Sequence, residues 1–221
     1  MEFWNKKIEH FRIEDSQIYD AKILSPDYSQ ENNLSYSKIK KLRNEWIKVL
    51  PKLKNLEYLF LGHRVNQEYF EAICNIPNLK GLEVKVSQIK DFSSIGKLKK
   101  LENLDFCGSK GISNLRGIEL LSELKYCKLS QFFGIETVEE LSELHSLEKL
   151  NLFGNYHGQS LNLKNIEPLS KLENLKVLGL DIKTKLNLNS LLNLNNLNCL
   201  ILPDSYHSKM KDKLSKKVEL R

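Results

Sequence analysis

Leucine and its apolar substitutes follow one local pattern along this chain, LxxLxL, and the pattern itself recurs. Leu56-Leu59-Leu61 is the first clear copy, followed by Leu79-Leu82-Val84, Leu101-Leu104-Phe106, Leu124-Cys127-Leu129 and Leu147-Leu150-Leu152. Leu175-Leu178-Leu180 and Leu197-Leu200-Leu202 bring the copies to seven. Their central positions are separated by 23, 22, 23, 23, 28 and 22 residues, a period that chance does not keep. In each LxL the two apolar residues point to one side of a short strand and the residue between them to the other. Past the strand the apolar spacing changes from two to three, as in Ile89, Phe92, Ile95, Leu98 and Leu101, which predicts a tight, partly 3₁₀ return. Such a unit cannot bury its apolar side alone, so neighbouring units must stack into a solenoid.

This repeat resembles the leucine-rich repeat family, whose unit reads LxxLxLxxN/C over about 20–29 residues. The resemblance spans residues 50–203, and the 22-residue copy with its Ile-xx-Ile-xx-Leu-xx-Leu return is most similar to the internalin-type bacterial class. It implies an α/β repeat fold, a horseshoe-shaped solenoid with a concave parallel β-sheet. One departure stands out. The family's turn asparagine is matched only at Asn155, while Arg64, Ser87, Ser109, Phe132, Lys183 and Ser205 hold the equivalent positions. A somewhat loosened turn edge is therefore expected.

The ends differ from the repeats and read as caps within one structural domain: 1–49, then repeats over 50–203, then 204–221. Ile8-Phe11-Ile13 and Tyr19-Ala21-Ile23 alternate around Glu14-Asp15-Ser16, which predicts a β-hairpin. Ile18-Ala21-Ile23 also fits LxxLxL loosely, as a degenerate extra repeat. Ile39, Leu42, Trp46 and Val49 predict a helix over 37–49 with Ser37 as N-cap. Tyr206, Met210, Leu214 and Val218 predict an amphipathic C-terminal capping helix.

Charge changes the picture little. The net +6 is concentrated at the ends: residues 38–54 carry seven bases and one acid, and residues 209–221 six bases and two acids. Bases on capping segments at opposite ends do not form the contiguous stripe that a nucleic-acid partner needs, which argues against one. They are read as solvated caps that discourage end-to-end association and favour a monomer. The 40 leucines against two alanines fit a repeat, and the Lys, Asn and Ile content fits an AT-rich genome. No apolar run reaches the roughly 18 residues of a membrane span, and the N-terminus lacks a secretory pattern. Cys74, Cys107, Cys127 and Cys199 are too scattered for a zinc site or disulfide framework, which points to free thiols and a cytoplasmic setting. No catalytic or cofactor motif is present, so the chain reads as a non-enzyme without cofactor or metal. His63, just after a strand, reads as an ordinary surface histidine.

What remains is the concave face. Its outward positions include Tyr58, Phe60, Glu83, Lys85, Asp105, Tyr126, Lys128, Lys149, Asn151, Phe153 and Asp181. Exposed aromatics among mixed charges have the makeup of a protein-binding hot spot. The 28-residue interval adds a loop in which Tyr156 and His157 form a second, weaker candidate. The expected function is protein–protein recognition. By family analogy this includes a bacterial immunity protein that covers a toxin's active surface; an adaptor for another partner is the alternative, and a nucleic-acid binder using the basic caps a more distant one.

Overall fold

Register builds the sheet. The structure, a computed structural model, describes residues 9–26, 35–155, 157–183, 186–214 and 217–221. Among these, ten strands form one sheet: β1 (His10–Phe11), β2 (Ile23–Pro26), β3 (Tyr58–Asn66), β4 (Gly81–Gln88), β5 (Asn103–Cys107), β6 (Tyr126–Ser130), β7 (Lys149–Phe153), β8 (Val177–Leu180), β9 (Cys199–Ile201) and β10 (Glu219–Leu220). Each pairs in parallel with the next along the chain. Leu24, Leu59, Leu82, Leu104, Cys127, Leu150, Leu178 and Leu200 stand in one column, and every one is fully buried. The predicted return is present: Ile89, Phe92, Ile95, Leu98 and Leu101 are buried around a 3₁₀ turn at Ser93–Lys97.

The first return is different. It forms an α-helix, α2 in a chain where α1 spans Tyr36–Val49 and α2 spans Gln67–Ile73. The Asn66 side chain caps it, accepting the Tyr69 N–H at 3.0 Å. Helical spacing then buries Tyr69, Phe70 and Ile73. To reach this cap β3 runs on to Asn66 and bulges between Leu61 and Arg64. The extra residue puts Val65 opposite Ser87, so a buried valine, and not Arg64, fills the first asparagine position.

The turn edge is packed with aromatic rings where looseness was expected. Phe132 is fully buried and meets Phe92 edge-on at 5.4 Å, and Phe70, Phe92 and Phe106 continue the stack. Gly108 makes room: a Cβ there would lie 2.5 Å from the Phe132 ring. Amide rungs occur instead on the opposite edge. Asn55, Asn78, Asn174 and Asn196 each precede the first leucine of a copy. Their Nδ2 groups donate to the carbonyls of Tyr19, Lys54, His145 and Glu173 in the preceding coil, at 3.1, 2.8, 2.8 and 2.8 Å.

Two residues further on, charge alternates along the stack: Lys22, Glu57, Lys80, Glu102, Lys125, Glu148 and Lys176. The backbone N–H of each from Glu57 onward donates to the carbonyl of the one before. Ion pairs join Glu57 to Lys80, Glu102 to Lys125 and Glu148 to Lys176 at 3.3, 3.0 and 2.8 Å.

Both caps correct the sequence reading. There is no N-terminal hairpin among the described residues: β1 and β2 pair in parallel, because residues 12–22 cross over through a 3₁₀ turn that buries Ile18. Ile8 lies outside the described residues. β2 is the extra repeat strand, in the frame Ala21-Leu24-Pro26 and not Ile18-Ala21-Ile23, since Leu24 pairs with Leu59. Helix α1 starts at Tyr36 with Ser35 at its cap position, and Ser37 lies inside it. It buries Trp46 completely. At the C-terminus helix α3 (Asp204–Lys211) covers Tyr206 and Met210 and then stops. The chain turns back, and β10 pairs with β9, so Val218 lies in the bend just before a returning strand and not in the predicted helix. That pairing satisfies backbone groups that an edge strand would otherwise leave open.

Candidate functional site

Three columns of side chains cross the concave face, set by the same register. The central column contains Phe60, Glu83, Asp105, Lys128, Asn151 and Gly179. Tyr58, Tyr126 and Lys149 belong to the column at the strands' beginnings, and Lys85, Cys107, Ser130 and Phe153 to that at their ends, with Asp181 just beyond β8.

The central column is more deeply set than its outward direction implies. Phe60 is only 6% exposed, so it is not the exposed aromatic that was expected, although it lies outside the main core cluster. Glu83 and Asp105 are 8% and 7% exposed. Each has a cation: Lys85 pairs with Glu83, and Lys128 Nζ lies 3.0 Å from Asp105 Oδ2. The neighbouring coils that flank each strand cover these short side chains, while the longer Lys128 remains half-buried.

Tyr126 and Phe153 are both half-buried on this face but do not form one cluster. Tyr126 pairs with Lys149, whereas Phe153 pairs with Ser130. They therefore stand at opposite ends of adjacent strands, four residues or about 13 Å apart along the strand. Burial, with the Asp105 charge, pushes the Tyr126 phenol up to about 12, while a hydrogen bond with Asn151 opposes the shift. Phe153 leans over the next coil. A Cβ at Gly179 would come within 2.8 Å of its ring and 2.4 Å of Asn151 Oδ1. Glycine there leaves the space that these two side chains fill.

A pocket of about 300 Å³ opens at the strand ends. Lys85, Asp105, Lys128, Phe153 and Asp181 line it, together with Val84, Cys107, Ser130, Gln131, Gly154 and Asn155. Gln131 bends the rim with φ of 62°, a left-handed conformation rare for a side chain with a Cβ, and its N–H donates to the Phe153 carbonyl at 2.9 Å. The Gly154 N–H donates to Asp181 Oδ2 at 3.2 Å. Strand alternation identified five of these residues as candidates. Gln131, Gly154 and Asn155 follow the strands in turns, where alternation no longer indicates direction; the glycine directly after Phe153 was the available signal.

The inserted loop turns on Asn155, whose Oδ1 accepts the N–H groups of His157 and Gln159 at 3.0 Å each. His157 is exposed beside the pocket margin, and Tyr156 lies outside the described residues. His63 is not an ordinary surface residue: it is half-buried and stacked on Tyr69 at 5.5 Å. Burial, and then the charge of Arg43, lowers it to about 3.

No protein-family model matches the sequence, and no curated protein does. Solved structures do. A leucine-rich-repeat protein from Leptospira interrogans aligns with a TM-score of 0.57 at 22% identity, over 79% of this chain and 45% of that one. TLR13 in its complex with ssRNA aligns at 0.52 and 18% identity, over 84% of this chain and 30% of that one. An internalin C2 from Listeria monocytogenes aligns at 0.49 and 24% identity, over 79% and 76%. The chain thus spans less than half the length of the first two. The seven-copy period, the parallel sheet that grows in chain order and these two structural likenesses together show the fold: the chain is a leucine-rich-repeat solenoid.

Proposed function

We propose that the chain is a non-catalytic protein-binding module acting through its concave face. The observation that carries this reading is the continuity of that face. Seven repeat strands about 4.8 Å apart give a surface on the order of 30 Å long, adequate for a standard interface of about 800 Å² per partner. Half-buried Tyr58, Tyr126 and Phe153 stand among fixed charges of both signs. Rigid aromatics beside partly desolvated charges are what concentrates binding energy in protein interfaces. The basic residues Lys38, Lys40, Lys41 and Lys48 are solvated on α1, away from this surface. Within this reading we favour a cytoplasmic monomer of bacterial origin that neutralises a toxin by covering it, with an adaptor role as the alternative.

The test is differential capture from the source cell. Tagged wild-type chain is compared with Tyr126→Ala/Lys149→Ala on the concave face and with Lys164→Ala/Glu136→Ala away from it. A specific protein retained by the wild type and the control, and lost by the concave variant, supports the reading. Equal retention by all three sinks it. A captured protein whose enzymatic or toxic activity falls on addition of the purified chain distinguishes neutralisation from scaffolding. A steep log–log salt dependence with nucleic acid in the eluate would favour the nucleic-acid alternative.

A further inference from the structure

We propose that the pocket at the ends of β4–β8 receives one basic side chain, arginine or lysine, projected by the protein bound on the concave face. The inference rests on the protein-binding reading for the source of that side chain, but the pocket's chemistry stands by itself.

Four charged groups line the pocket, and three of them are already matched. Lys85 pairs with Glu83, and Lys128 pairs with Asp105. Asp181 is left over. Among the described residues no lysine or arginine pairs with it, and its carboxylate accepts a single hydrogen bond, from the Gly154 N–H. Counting Glu83 behind Lys85, the site carries one net negative charge on a chain whose net charge is +6. A negative concavity on a positive molecule selects cations locally, whatever the long-range field does.

The apolar parts point the same way. Phe153 and Asp181 occupy adjacent coils at the same height, since the Asp181 N–H donates to the Leu152 carbonyl at 2.9 Å. The aromatic ring, wedged over Gly179, offers a face to a cation, and the carboxylate offers two oxygens to a guanidinium. Cys107 lines the same cavity from the concave side and suits an aliphatic stem. At about 300 Å³ the cavity is at the lower limit for small-molecule sites, the size of an anchoring side chain and too small for a large metabolite. An acidic ligand would meet lysines whose charge Glu83 and Asp105 already offset, and would be repelled by Asp181.

The test uses ¹⁵N-labelled chain and three amino-acid probes: N-acetyl-arginine amide, N-acetyl-norleucine amide and N-acetyl-glutamate amide. The arginine probe is expected to shift the amides of Gln131, Gly154 and Asp181 saturably in the millimolar range, and the other two probes are not. Asp181→Asn, which keeps an acceptor for the Gly154 N–H, is expected to weaken the arginine probe about tenfold or more. Its spectrum away from the pocket reports that it is folded. Phe153→Leu is expected to weaken the same probe severalfold. The proposal is overturned by shifts of equal size with the glutamate probe, by unchanged arginine binding to Asp181→Asn, or by no saturable shift with arginine. Any of these leaves the concave-face reading intact, because that reading depends on protein capture through Tyr126 and Lys149.

Discussion

Single residues carry unequal weight here, and their column decides which. Leu104 is fully buried with Leu82 on one side and Cys127 on the other. Leu104→Ala is expected to lower unfolding free energy by about 2–5 kcal/mol in denaturant melts, because neighbouring coils limit collapse of the cavity. The four cysteines are free, and their positions order their reactivity. Cys74 and Cys127 are buried and their thiols are pushed up by burial, so iodoacetamide should label Cys107 and Cys199 first, as read by mass spectrometry of a native time course. His63 has a pH consequence. It stays neutral in the fold down to about pH 3 but takes a proton in the unfolded chain near pH 6.5. Stability is therefore lost as pH falls from 6.5 toward 3, and the decline in Tm over that interval should be shallower in His63→Phe. None of this was legible for His63, because nothing in the sequence places it under α2. The inward direction of Cys127 was legible, since it fills a leucine position. The depth of Phe60, Glu83 and Asp105 was not: alternation gives the side of the sheet and says nothing of how far adjacent coils close over it.

At the scale of elements, the strands were legible and the connections only in part. Parallel strands follow from the period, and five of the returns are the expected 3₁₀ turns. The first return escaped because its two-turn helix depends on one capping side chain and a bulge that shifts the frame by a residue. Asn66→Ala should therefore cost about 1 kcal/mol and weaken hydrogen-exchange protection first in α2. The N-terminal hairpin was misread because alternation around a polar turn looks the same whether the second strand returns beside the first or crosses over. Only the parallel partner Leu59, which fixes the frame of β2, distinguishes them. The amide rungs were overlooked for a simpler reason. The family pattern has its asparagine after the strand, whereas Asn55, Asn78, Asn174 and Asn196 stand before it.

Over the whole molecule, the seven repeat strands of the sheet were legible and its flanking strands β1 and β10 were not, while the pocket was legible only as scattered letters: Lys85, Asp105 and Phe153 lie on three different strands, and Asp181 just beyond a fourth. The alternating ladder from Lys22 to Lys176 belongs to this scale, because no single coil contains it. It imposes a parity on the chain. Cutting out one coil, residues 102–124, would set Lys80 directly against Lys125, whereas cutting out two, residues 80–124, would set Glu57 against Lys125 and preserve the sequence of signs. Adding salt screens exposed like charges, so it should raise the Tm of the single-coil deletion more than that of the double. An equal salt response in the two would mean the ladder is ornamental. If parity holds, unequal duplication can lengthen or shorten this stretch of the gene most readily by pairs of units, and the odd repeat numbers become the harder ones to reach.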